Sequence, residues 1–206
     1  KVNDIARSLG AVPQFELNIT DSIEGDKCAR QLRLTEDQLQ VVLRDSNVPM
    51  YVGPEAPNYG GQPRKMDVNA CGAGVTSYCI TPEGIIQPCC SFPMTFGNLK
   101  ENSVGDVLRN NIQLKEWQTS TLEKYEECGQ HEYCGYCNMC AGQNYVENHD
   151  YRKAAENCCF MAKVRHRLAH RMMGGYDPLN GEEFASALQR LPKATVDLHR
   201  IYDTKG

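Results

Sequence analysis

The stretch "CGQHEYCGYCNMCAG", residues 128–142, puts Cys128, Cys134, Cys137 and Cys140 within thirteen positions. A segment so dense in thiols settles only if something holds them: disulfides, zinc or an iron–sulfur cluster. That choice constrains this chain more than any other feature. There are eleven cysteines in 206 residues. The odd count and the adjacent pairs Cys89-Cys90 and Cys158-Cys159 fit a disulfide framework poorly. The opening "KVNDIARSLG" lacks the apolar core of a signal peptide, so a reducing cytoplasm is the default, and there clustered cysteines hold metal more often than they pair. The chain begins at Lys1 without a methionine, which predicts a fragment or a processed piece. The net charge of -4 gives no ground for nucleic-acid binding. No apolar run approaches the length of a membrane span.

Residues 1–10 read as the end of a helix capped by Gly10, and "QFELNIT" at 14–20 as a strand. "TEDQLQVVLRD" opens with a capping box from Thr35 to Gln38 and carries a helical apolar face. "VPMYV" at 48–52 reads as a short strand. This alternation predicts the closing units of a larger α/β domain, since seventy residues cannot close a parallel sheet alone. A Gly- and Pro-rich linker follows at 53–65. "SYCITPEGIIQPCC" predicts a hairpin turning at Pro82-Glu83-Gly84, and "FGN" at 96–98 a further turn. A capped helix is expected from Ser103, continuing through "NIQLKEWQTSTLEKY" with Trp117 as a core anchor. Two helical stretches, "YRKAAENCC" and "FMAKVRHRLAHRMM", come after the cysteine loop. A short amphipathic helix in "PLNGEEFASALQRL" ends the readable pattern.

The cysteines read C-x7-C-x9-C from Cys71 through Cys79 to Cys89, then C-x5-C-x2-C-x2-C from Cys128 to Cys140, then Cys158 after seventeen residues. Eight thus sort into two sets of four, leaving Cys28, Cys90 and Cys159. Four thiolates suit zinc or an iron–sulfur cluster. Zinc ribbons bring two tight C-x2-C knuckles, and the first set has none. A cluster spreads its thiolates over several irons and tolerates wide spacing. Spacing leans towards clusters and leaves zinc open.

"CGAGVTSYCITPEGIIQPCCSFPMTFGNLKENSVGDVL", the later cysteine loop and Cys158 resemble the SPASM domain of radical S-adenosylmethionine enzymes. Cys71, twelve residues, Gly84, four residues and Cys89 meet that family's opening pattern. The resemblance implies an α/β end of a partial TIM barrel and linker at 1–66, a small α+β SPASM domain at 67–172, and a helical tail at 173–206. It implies two auxiliary 4Fe–4S clusters, the first on Cys71, Cys79, Cys89 and Cys140, the second on Cys128, Cys134, Cys137 and Cys158, with Cys159 the rival for the last place. The loop departs from the family's usual C-x2-C-x5-C-x3-C, so the ligand order inside it stays open.

The resemblance further implies a peptide or protein substrate that loses a hydrogen atom, and an electron donor such as flavodoxin or ferredoxin. The catalytic C-x3-C-x2-C triplet is absent from this sequence. S-adenosylmethionine and a third 4Fe–4S cluster therefore belong to an expected N-terminal radical S-adenosylmethionine half of the same enzyme. The competing reading is a non-catalytic zinc-binding interaction module with two four-cysteine sites.

Cys90 sits beside a proposed ligand, where a thiol could give a hydrogen atom to a substrate radical. In some family members an acidic residue at that place takes a substrate proton, which a thiol of ordinary pKa cannot do. The plainer expectation for Cys90 is an inert, buried thiol. Cys28 reads as a small core residue. His166 and His170 stand four apart on one helix but among Lys163, Arg165, Arg167 and Arg171, which predicts a solvated basic face rather than a metal site. His131 reads as a turn residue facing water, with cluster tuning as its sharper role.

Overall fold

A computed structural model describes residues 2–13, 15–46, 48, 50–56 and 61–191. Helix α1 (Val2–Ser8) ends at Gly10, whose φ of +73° is the left-handed cap the sequence predicts. Helix α2 (Glu36–Val42) begins with the full capping box: the Thr35 side chain accepts from the Gln38 N–H, and the Gln38 side chain from the Thr35 N–H. A three-stranded antiparallel sheet of β1 (Cys79–Ile80), β2 (Ile85–Gln87) and β3 (Gly97–Asn98) follows, pairing Cys79 with Gln87 and Ile86 with Gly97. Gly84, at φ +88°, makes the β1–β2 turn, a conformation that a β-carbon would strain. Helices α3 (Val104–Asn110), α4 (Ile112–Gln118), α5 (Ala141–Asn148), α6 (Glu156–Met173) and α7 (Phe184–Arg190) complete the regular structure.

Several expectations are corrected. Residues 15–20, and those described between 48 and 52, form no strand. A strand exists only as half of a pair, and no neighbouring strand lies alongside them among the described residues. The chain is therefore a small mixed α/β structure, and the barrel is not visible in it. Part of the linker, residues 57–60, and most of the polar tail, residues 192–206, lie outside the described residues. The "FGN" turn is strand β3. The long helix expected from Ser103 breaks at Asn111, whose extended backbone ends α3 while its side chain accepts from the Leu114 N–H and starts α4. Of the two stretches expected after the cysteine loop, residues 151–155 are not helical and the remainder forms α6, and α5 was not anticipated at all.

Two cores hold these elements. In the first, Trp117 is fully buried, edge-on to Phe92 (5.0 Å) and Tyr151 (5.1 Å), with Ile86, Phe96, Val107 and Leu114 around it. Its indole N–H donates to the Ala73 carbonyl, which pins the chain beside Cys71. The second core joins Leu39 and Leu43 of α2, Met50 and Val52, Tyr136 of the cysteine loop, and Met161, Val164 and Leu168 of α6. No helix among the described residues is long and apolar enough to cross a membrane.

Candidate metal centre

Local packing decides which cysteines meet. Gly142, in the first turn of α5, lies so close to the preceding loop that a β-carbon there would sit 2.2 Å from the Ser91 carbonyl oxygen. That approach carries Cys140, just before α5, to the Cys89 loop. Asn144, fully buried on α5, then fixes the entry to α6: its amide donates to the Tyr151 carbonyl (2.9 Å), and its oxygen accepts from the Ala155 N–H (2.8 Å). Cys158 and Cys159 enter on the first turn of that helix.

Cys128, Cys134, Cys137, Cys158 and Cys159 line one pocket with Arg64, Glu127, His131, Tyr133 and Met139. The cavity measures about 20 Å³, room for on the order of one water, so the donor set and not the volume carries the fit. Burial pushes the Cys128 thiol up to about 11 and the Cys137 and Cys158 thiols up to about 12. Neighbouring thiols push the same way, while Arg64 opposes the rise at Cys128 and Cys137. Without metal such thiols keep their protons at neutral pH, and metal binding must release them. Five soft donors in one enclosure suit an iron–sulfur cluster.

The adjacent pair on α6 divides. The Cys158 thiol donates to Gln143 Oε1 at 2.7 Å and has Cys137 and Cys140 as its thiol neighbours. Cys159 faces the loop set: its charge is felt at Cys128 and at Cys137, and that of Cys134 is felt at Cys159. Helical neighbours diverge by about 100°, so two adjacent thiols take different surroundings.

The first set is looser. Cys71, Cys89 and Cys140 are electrostatic neighbours, and burial raises the Cys71 and Cys89 thiols although the Cys71 residue as a whole is exposed. Cys79 stands on β1 opposite Gln87. Among the described residues no three Cys, His, Asp or Glu side chains converge tightly enough to hold a single metal ion.

The other singled-out residues fall as follows. Cys90 is exposed, with Ser91 Oγ 3.9 Å from its sulfur, so it is not the buried thiol of the plainer expectation. Cys28 opens a short 3-10 turn half-buried, outside both cores. His131 is exposed and stacks on Tyr133 at 4.8 Å. His166 and His170 touch each other edge to face at 4.4 Å and flank Tyr136. The basic face around them is solvated only in part, because Arg165 is buried. Sequence reasoning missed Arg64, which donates to the Cys137 carbonyl, and Gln143. Neither sits in a motif that could have signalled it.

The thiol-lined pocket lies between the cysteine loop and the start of α6, with Arg64 at its edge. Residues 71–141, about a third of the chain, match the SPASM family, an iron–sulfur cluster-binding domain. The chain is also 34% identical over 104 residues to the antilisterial bacteriocin subtilosin biosynthesis protein AlbA of Bacillus subtilis (strain 168). The match covers 48% of this chain and 22% of that protein, so it reaches about a fifth of the relative's length. Both findings agree with the SPASM resemblance read from the cysteine pattern. No solved structure matches the chain.

Proposed function

We propose that this chain is the auxiliary-cluster part of a radical S-adenosylmethionine maturase acting on a peptide or protein, with residues 67–172 as its SPASM domain. The observation that carries the reading is the pocket lined by five cysteines within and just beyond a segment matching a cluster-binding domain. The similarity to a bacteriocin biosynthesis protein supports a peptide substrate. A cluster held by these thiolates supplies one-electron redox chemistry. The chain's own residues contribute ligation, burial and a cationic rim from Arg64. One 4Fe–4S cluster is assigned to Cys71, Cys79, Cys89 and Cys140. The second is assigned to Cys128, Cys134 and Cys137 with a fourth ligand from the Cys158–Cys159 pair, and the surroundings of the two thiols favour Cys159. S-adenosylmethionine, its own cluster and the electron donor, a flavodoxin or ferredoxin, belong to the rest of the enzyme, in the cytoplasm.

Anaerobic iron and sulfide analysis tests this directly. The expected result is about eight irons and eight sulfides per chain, with a brown chromophore. Given S-adenosylmethionine and reductant, the same chain is expected to release no 5′-deoxyadenosine, because none of its cysteine spacings forms the catalytic triplet. A colourless protein with two zincs would establish the interaction-module reading instead, and turnover by the chain alone would defeat the assignment of catalysis to another part.

Cys90 is proposed as a hydrogen-atom donor to the substrate radical, a role supported by its exposure beside Cys89. The full enzyme carrying Cys90→Ala is then expected to consume S-adenosylmethionine yet stall before product. Unchanged product yield removes Cys90 from the mechanism.

A further inference from the structure

Arg165 is 4% exposed in the middle of α6. One of its terminal nitrogens donates to the backbone carbonyl of Tyr136, the residue before Cys137, and its Nε has no partner. Among the described residues no carboxylate pairs with it. Its neighbours on the helix are provided for: Arg167 pairs with Glu36 at 2.6 Å, and Arg171 reaches Gln40 at 3.1 Å and lies over the Tyr176 ring. A buried cation without a counter-charge is strongly unfavourable. A neutral amide could satisfy the Tyr136 carbonyl without burying a charge. A thiolate at Cys137, a proposed ligand, would steady this guanidinium. Half-buried Arg64 donates to the Cys137 carbonyl, one residue further on. The peptide groups before and after Cys137 are thus each held by a guanidinium.

We propose that Arg165 is the counter-cation of the second cluster, a positioning residue that raises its reduction potential without ligating it. The proposal rests on the two-cluster reading above. Four thiolates around a 4Fe–4S core leave a net negative charge, which grows by one unit when the cluster takes an electron. A fixed cation nearby in a low dielectric favours the reduced state. One electron enters from the reductant, and no bond forms or breaks.

The test is a reductive titration of the anaerobically reconstituted chain followed by electron paramagnetic resonance, comparing wild type with Arg165→Gln and Arg165→Lys. Both replacements can donate to the Tyr136 carbonyl, and only lysine keeps the charge. Arg165→Gln is expected to hold its full iron and to make one of the two cluster signals at least tenfold harder to reduce, a downward shift of about 59 mV or more for one electron. The other signal and the Arg165→Lys protein should stay near wild type. Loss of the second cluster in Arg165→Gln but not in Arg165→Lys also supports a required charge. Full iron with an unmoved potential in Arg165→Gln overturns the proposal alone, as does loss of the cluster in both variants, which makes Arg165 a structural clamp. If Cys134→Ala and Cys137→Ala leave the iron whole, the two-cluster reading falls and takes this proposal with it.

Discussion

Replacing Cys137 with alanine is expected to remove about half of the iron and to loosen the contact between the cysteine loop and α6. Three thiols, Cys128, Cys134 and Cys159, bear on Cys137. It follows Tyr136, which is buried in the second core against α6. Ligand loss and unpacking therefore coincide. Metal binding to a thiolate site is largely folding free energy, on the order of 10 kcal/mol for structural zinc in small domains, so the effect should be large. Cys159→Ala is expected to behave in the same way, and Cys158→Ala to keep its iron, since the Cys158 thiol is engaged by Gln143. The sequence-based assignment was Cys158. Iron loss in Cys158→Ala, with full iron in Cys159→Ala, would return the eighth ligand to it. Full iron in Cys137→Ala would dissolve the second set altogether.

Trp117→Ala is expected to destabilise the chain by about 3–5 kcal/mol, the usual range for deleting a buried aromatic. Its ring is the centre of the first core, and its N–H holds the Ala73 carbonyl two residues from Cys71. Gly74, at φ +69°, sits against the same ring, where a β-carbon would lie 2.8 Å from indole atoms. Removing the ring should release the 71–77 turn and lower the occupancy of the first cluster, leaving the second. Anaerobic denaturation with iron analysis reads both effects. Trp117→Phe separates them: it refills most of the cavity but loses the N–H, so stability should recover further than first-cluster iron does. Equal recovery of both would mean that the Ala73 bond does not position Cys71.

Much of this was legible without coordinates. The Thr35 capping box, the Gly84 hairpin turn and the Ser103 cap each depend on chemistry within about four residues, and each appears where the residues require it. Failures came where the deciding partner is distant. "QFELNIT" has a strand's composition but no neighbouring strand. "FGN" has a turn's composition, yet β2 recruits Gly97 and Asn98 as an edge strand. α5 was missed because its sequence, AGQNYVEN, has only a weak apolar stripe; its buried residues are Ala141, Gly142, Gln143 and Asn144, two of them polar. Their burial is justified by hydrogen bonds to Tyr151, Ala155 and Cys158 that no local pattern encodes.

The sequence alone determined that thiols dominate this protein and that their pattern resembles a SPASM domain, because residue type and spacing are properties of the chain. Only the tertiary structure decided how the last thiols divide and which charges surround them. Side-chain direction on a helix, a glycine-permitted approach at Ser91 and a buried Arg165 depend on contacts between residues dozens of positions apart. Sequence distance carries no information about such contacts until the chain has packed.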